Sequence, residues 1–527
     1  MERLAGKVML LSGTRRALAA FLAGLVGVLA LPPFGFFAAL FVSFTLLVWL
    51  LDGASGAPEA GFLRRLAPAF GIGWFFGFGY FVGGLWWLGN ALLVEADSFA
   101  WALPLAVFGL PAFLALYYGL ATALARLLWS DGMGRIAALA FAFGIGEWLR
   151  GVLFTGFPWN AVGYGAMPVP LLMQSAGIVG IAGMNVLAVF VFAMPALLGT
   201  CHGRRLGLTL AALLFAAHVG YGYYALHIVP TPPGEETVIR LVQPVIDQAT
   251  KLDDGARAEI FERHLALSAA KPANGGRRPD IVVWPETSIP FILTDNPDAL
   301  VRIADVLEDD QVLIAGAVRT EGAGSGKAPR YYNSIYAIDG KGQIIGAADK
   351  VHLVPFGEYM PFADVFEGLG VDAVAMPGGF SAAREPQLLV ALGKNLYPLV
   401  CYEAIFPAEI TAAADGAAAL LNVTNDAWFG RTPGPYQHFH QARLRAVERG
   451  MPLIRGANNG ISAVVDAKGK VVAGLEHDVA GFVDATLPGK MAAGEWRKWR
   501  NLAFPVLLGL LFLAAVISRI GFRNRTN

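Results

Sequence analysis

Long uncharged apolar runs, broken by short polar stretches, occupy residues 17–226, and the pattern then changes character. Seven runs stand at about 17–32, 34–51, 67–92, 99–125, 134–150, 171–199 and 205–226, and an eighth at 502–520. Several reach the ~20 residues that cross a bilayer as a helix. The first run has a basic flank, Arg15 and Arg16, but the second begins almost at once after Leu31-Pro32-Pro33. A retained membrane helix is therefore expected there rather than a cleaved signal peptide.

Between residues 228 and 497 the period shortens to β-branched runs separated by helical stretches. Val238–Gln243, Ile281–Trp284, Val312–Ala317, Ser334–Asp339, Leu396–Tyr402, Ala418–Thr424, Ile461–Asp466 and Lys470–Ala473 read as strands. Glu259–Ala270, Pro297–Leu307 and Gln437–Arg449 read as helices. Gly340-Lys341-Gly342 and Ala467-Lys468-Gly469 follow strands ending in Asp and read as hairpin turns. Gly322–Ala328 reads as a flexible loop. Strands mixed with helices over this length predict an α/β sandwich.

Composition sharpens the division. Hydrophobic residues are 56% of the chain and charged residues 15%, against roughly 25% charged in an ordinary soluble domain. Residues 17–226 carry 13 charges and the rest of the chain 67. With 40 basic and 40 acidic residues there is no basic field for nucleic acid, and the composition is not that of a disordered chain. Predicted domains are a seven-helix membrane domain at 1–227, an external domain at 228–497, and an eighth membrane helix with a cytoplasmic tail at 498–527.

Orientation follows from Lys and Arg. With the N-terminus inside, Arg3, Lys7, Arg15, Arg16, Arg64, Arg65, Arg126, Arg135, Arg204, Arg205, Arg519, Arg523 and Arg525 all fall on the inner side. The short outer loops hold only Arg150, which stands near Glu147 as a local pair. The bias places the domain at 228–497 outside. Of two cysteines, Cys201 then lies in an inner loop and Cys401 in the outer domain, so they do not pair. His438 and His440 read as a solvated pair rather than metal ligands, and no metal or cofactor is expected.

Three places could carry chemistry. Cys401 ends a strand, which predicts an exposed thiol with neighbouring amides as oxyanion donors; a buried structural cysteine is the alternative. Glu286 lies just past another strand, in Val283-Trp284-Pro285-Glu286-Thr287. Lys350 stands eight residues before Glu358 in an apolar loop. Each has a plain reading as a surface charge, but together they offer a nucleophile, a base and a cation at strand ends, where α/β sites converge.

These words resemble the nitrilase superfamily, and more closely its membrane branch, the apolipoprotein N-acyltransferases of bacterial envelopes. The resemblance rests on Trp284-Pro285-Glu286-Thr287, Lys350 with Leu353–Tyr359, Cys401-Tyr402-Glu403 and Thr424-Asn425-Asp426-Ala427-Trp428-Phe429-Gly430. Gly434–His438, Ala457–Gly460 and Gly156-Phe157-Pro158-Trp159-Asn160 extend it over nearly the whole chain. It implies about eight membrane helices joined to an external nitrilase-like αββα sandwich. It also implies a bacterial inner-membrane enzyme with its catalytic domain on the periplasmic side.

By the same resemblance, Glu286 is the general base, Cys401 the nucleophile and Lys350 the oxyanion partner, with an amide near Tyr402 assisting. Glu358 and Glu403 are supporting carboxylates that orient the lysine and the substrate amine, and Tyr402 is a further required position. Phe356, Tyr359, Phe362, Phe366, Trp428 and Phe429 are lid or substrate-binding candidates, with ordinary core packing as the alternative. The implied reaction moves an acyl chain from a phospholipid onto a diacylglyceryl-modified N-terminal cysteine of an apolipoprotein, through a Cys401 thioester. The sequence departs from the family at Leu252, where a tryptophan is usual. A membrane-anchored nitrilase-type amidase would use the same Glu, Lys and Cys. A transporter would need polar groups within the helices, which are nearly absent.

Overall fold

Backbone amides in hydrocarbon must be satisfied within their own segment, so the apolar runs become helices. The computed structural model describes residues 1–56, 59, 61–200, 202–272, 275–322, 329–361, 379–492 and 496–526. Cys201, Phe362, Phe366 and all of the expected Gly322–Ala328 loop except Gly322 lie outside the described residues. The chain forms two compact units, Met1–Pro230 with Ala493–Asn527, and Thr231–Ala492.

Among the described residues of the first unit, seven helices are long and apolar enough to cross a membrane. They are Gly13–Ala30, Phe62–Leu93, Ala96–Leu127, Met133–Thr155, Ala176–Gly199, Arg204–Ile228 and Trp499–Phe522. The second expected run gives a shorter apolar helix, Ala38–Asp52. It starts late because Pro32-Pro33 and Gly35, at φ +63°, form a turn ahead of it. Glu147 and Arg150 form a buried ion pair, as the local spacing predicts. Its outer bonds knit a loop: the Tyr118 hydroxyl donates to Glu147 Oε1 at 2.5 Å, and Arg150 donates to the Trp159 carbonyl at 2.8 Å. Aromatic side chains of the helix Phe62–Leu93 pack on one another, with Trp74 stacked on Phe78 at 5.2 Å.

The second unit is a sandwich of two six-stranded sheets. Its strands are β1 (Val238–Gln243), β2 (Ile281–Val283), β3 (Val312–Glu321), β4 (Arg330–Asp339), β5 (Ile344–Asp349) and β6 (Leu389–Ala391). They continue with β7 (Lys394–Val400), β8 (Ala419–Thr424), β9 (Leu453–Ala457), β10 (Ser462–Val465), β11 (Val471–Leu475) and β12 (Gly481–Thr486). One sheet runs β12-β1-β2-β3-β4-β5 and the other β11-β10-β9-β8-β7-β6. Each has three parallel central strands, β1-β2-β3 and β7-β8-β9, with antiparallel flanks.

Alternation sorts the side chains between layers. Val312 and Ile314 of β3 point into the space between the sheets, with Leu421 and Val423 of β8 opposite. Leu313, Ala315 and Ala317 point the other way, onto the helices Arg257–Ala269 and Pro297–Val306. The second sheet buries Tyr397, Leu399 and Leu420 against the helix Gly434–Arg449. The result is a four-layer αββα arrangement, and all the expected strands and helices are present. β5, β6, β9 and β12 are additions to the expected set.

Candidate active site

Strands of both sheets, parallel and antiparallel, supply the polar groups. β2 ends before Trp284-Pro285, and the proline halts the ladder so that the chain turns at Glu286. Thr287 adopts φ +45° there, in the left-handed region that costs a β-branched residue energy. The turn lies hard against β3 at Gly316, where a Cβ would sit 2.6 Å from the Glu286 Cα. Only glycine admits that approach. Cys401 follows β7 directly at φ +51°, a strained elbow opening a short 3₁₀ turn, Cys401–Ile405. Lys350 follows β5.

These strand ends converge. Glu286 is buried; its Oε1 accepts from Asn333 Nδ2 at 2.8 Å and its Oε2 from the Asn425 amide at 2.8 Å. Lys350 Nζ lies 3.7 Å from Glu286 Oε1 and donates to Glu358 at 2.9 Å. Asn333 also donates to Glu358 Oε1 at 2.7 Å, so one amide spans both carboxylates. The Thr424 hydroxyl lies 3.3 Å from the Cys401 sulfur.

Burial governs the electrostatics. It pushes the Cys401 thiol up, and the nearby Glu286 charge adds to this while Lys350 opposes it, so the resting group is a thiol. Burial alone would lower Lys350, but Glu358 and then Glu286 more than offset it and hold the ammonium charged. Lys251, which donates to the Glu286 carbonyl at 3.1 Å and to Thr287 Oγ1 at 3.2 Å, is brought down to about 8 by burial. Burial also raises Glu403. A buried thiol beside a carboxylate and a fixed ammonium is a set able to deprotonate sulfur and stabilise an oxyanion.

Glu286, Lys350, Cys401 and Glu358 come together in one buried cluster. Cys401 is not the exposed thiol expected of a strand-to-turn junction: it packs into the core between the two sheets and is 8% exposed. Glu358 meets Lys350, whereas Glu403 spends its carboxylate on backbone amides, those of Val400, Val351 and His352. Tyr402 is buried against Phe406, ring centroids 5.0 Å apart. Phe356 is exposed and strained at φ +64°, Tyr359, Trp428 and Phe429 are half-buried, and Leu252 is exposed.

His438 and His440 are not solvated; both are buried. His438 Nδ1 lies 2.8 Å from Asp426 Oδ1, and its Nε2 lies 3.1 Å from the Cys401 carbonyl. Gly460 makes room for Asp426, since a Cβ there would meet Asp426 Oδ2 at 2.1 Å. Asn333, Lys251 and the Asp426–His438 pair are members of the site that the sequence reading passed over. Asn333 left a signal: it is a polar residue in the apolar run Tyr331–Ile338 that forms β4.

Residues 240–500 match the family model described as carbon-nitrogen hydrolase, and residues 23–194 that of the apolipoprotein N-acyltransferase N-terminal domain. The apolipoprotein N-acyltransferases of Rhizobium rhizogenes and Sinorhizobium fredii are each 64% identical to this chain, over 533 and 531 residues, and cover 100% of both chains. Among solved structures, an amidase from Nesterenkonia sp. is 19% identical, with 52% of this chain and 99% of that chain covered and a TM-score of 0.35.

Proposed function

The chain belongs to the apolipoprotein N-acyltransferase family, and we propose that it acylates its acceptor through a thioester on Cys401. It is an enzyme, an N-acyltransferase with lipid and lipoprotein substrates, working at a bacterial membrane. The donor is a phospholipid, the acceptor the α-amine of a diacylglyceryl-modified N-terminal cysteine, and the domain at 231–492 faces the periplasm from the inner membrane. The Lys and Arg bias of the loops supports that orientation.

In the first half-reaction Glu286 takes the Cys401 proton as sulfur attacks the ester carbonyl. Lys350 faces the oxyanion. Collapse breaks the ester C–O bond, and the leaving lysophospholipid oxygen receives the proton from Glu286. In the second, the acceptor amine attacks the thioester carbon and gives a proton to Glu286. The C–S bond breaks, and Glu286 returns that proton to sulfur. The two steps form a ping-pong scheme. Membrane chemistry suits the substrate, because each acyl CH₂ exposed to water costs about 0.8 kcal/mol.

The observation that carries this reading is the convergence of Glu286 and Lys350 on the buried Cys401 thiol. Its test is intact mass of the purified full-length protein in detergent after exposure to phosphatidylethanolamine. An acyl-sized adduct that hydroxylamine removes, and that Cys401→Ala lacks, is expected. An unmodified wild-type mass with acceptor absent overturns the thioester.

A further inference from the structure

From β8 and its neighbours, a chain of fully buried polar groups leads to the Cys401 sulfur. The parallel register pairs Val400 of β7 with Val423 of β8, which sets the next residues, Cys401 and Thr424, side by side. The Thr424 hydroxyl lies 3.3 Å from the sulfur and 2.9 Å from Asp426 Oδ1. Asp426 accepts from Arg455 at 2.8 Å through its other oxygen and faces His438 Nδ1 at 2.8 Å. Thr424, Asp426, His438 and Arg455 are all at 0% exposure, so no bulk water substitutes for any of them.

A hydroxyl has one proton, and here it has two acceptors. While Cys401 is a thiol, the Asp426 carboxylate is the stronger of the two, and the hydroxyl oxygen is left to accept S–H. When sulfur is an anion, it competes for the same proton, and turning the hydroxyl costs Asp426 one bond of three. Arg455 and His438 still hold that carboxylate. Among the described residues, no other side chain donates a hydrogen bond to the sulfur.

We propose that Thr424 is a further catalytic residue, a two-position donor that points to Asp426 in the thiol and acyl states and to Sγ whenever sulfur carries charge. This rests on Cys401 being the nucleophile. The donor acts twice: as Glu286 removes the thiol proton, and again as the C–S bond of the thioester breaks and sulfur leaves as an anion. No proton is transferred through it; the hydroxyl keeps its own and only redirects it. The charged or titratable groups facing Cys401 are Glu286, Lys350, Asp426 and Lys251, with His438 on its carbonyl.

The test uses the full-length protein in detergent, with Cys201→Ser so that Cys401 is the one thiol. Rates of acyl-enzyme formation from phosphatidylethanolamine, and of Cys401 alkylation by iodoacetamide against pH, are measured for wild type, Thr424→Val and Thr424→Ser. Hydrogen bonds to charged groups set the scale. Thr424→Val is expected to acylate about tenfold or more slowly and to shift its alkylation profile up by about one pH unit. Thr424→Ser restores both. Either readout unmoved in Thr424→Val overturns the proposal, because loss of packing alone would slow acylation without moving the thiol profile. Should Thr424→Val fail to fold, Thr424→Ala carries the same comparison. Cys401→Ala separates the two layers: an adduct that persists in it overturns the nucleophile, whereas a Cys401-dependent adduct with an indifferent Thr424 overturns only this inference.

Discussion

Glu403 Oε1 accepts the Val351 amide at 2.7 Å while its Oε2 accepts the Val400 amide at 2.6 Å. One carboxylate thus ties the loop after Lys350 to the strand end before Cys401. Its His352 bond, at 3.0 Å, completes the clasp. Glu403→Gln turns one acceptor into a donor that faces an N–H, and an unsatisfied buried group costs ~1–3 kcal/mol. A fall of several degrees in the unfolding temperature and an acylation rate about tenfold lower are expected. Unchanged acylation by intact mass would show that the clasp does not set the Cys401–Lys350 geometry.

Glu286 meets two donors, Asn333 Nδ2 and the Asn425 amide, and keeps Lys350 3.7 Å away. Glu286→Gln preserves shape and removes the base. Adduct formation should fall at least ~10²-fold, with the unfolding temperature within a few degrees of wild type. A variant that acylates normally reassigns the proton acceptor. Lys350→Met is a poorer probe, because it leaves Glu286 and Glu358 buried without their cation.

Asp426 gives the pH prediction. Burial would raise its carboxyl, but Arg455 and then His438 bring it from 3.8 to about 2. The folded state therefore binds this proton less tightly than the unfolded chain does. The stability it contributes is full above about pH 4 and is lost as pH falls through about 2. Thermal unfolding of wild type should weaken across that window. Asp426→Asn, which leaves the Arg455 cation buried without a counter-charge, should already be ~3–5 kcal/mol less stable at pH 5. It should also respond less to further acid. Parallel curves for the two proteins would remove Asp426 from the account.

Much of this arrangement was legible in the sequence. The β-branched runs and the strand-end positions of Glu286, Lys350 and Cys401 are local signals, and they located the strands and the cluster. What escaped depends on partners far along the chain. β9 carries Arg455 and β12 carries Asp484, charges that argue against buried strands until Asp426 and Arg240 are placed beside them. β6 is three residues long, too short for any period to show. The burial of Cys401 needs both sheets, and that of His438 needs Asp426 and the Cys401 carbonyl. Neither follows from its neighbours in the sequence.

Leu252 is exposed and next to Lys251, where the family resemblance leads one to look for a tryptophan. An exposed site accepts a larger ring without strain on the core. Leu252→Trp should leave stability unchanged and lower the KM for one substrate by several-fold, with kcat within about twofold. If neither KM moves, the position has no part in substrate binding.

The buried pair in the membrane unit makes a prediction that separates charge from packing. Arg150 spans Glu147 and the Phe157 and Trp159 carbonyls, and Glu147 also takes the Tyr118 hydroxyl and the Val162 amide. Arg150→Met strands a buried carboxylate and should cost ~3–5 kcal/mol of stability. Removing both charges, in Glu147→Gln with Arg150→Met, leaves no uncompensated ion and should recover part of that loss. Thermal unfolding in detergent reads the difference. A double variant no more stable than Arg150→Met alone would mean that the hydrogen bonds to the 157–162 loop, rather than the ion pair, hold this part of the unit together.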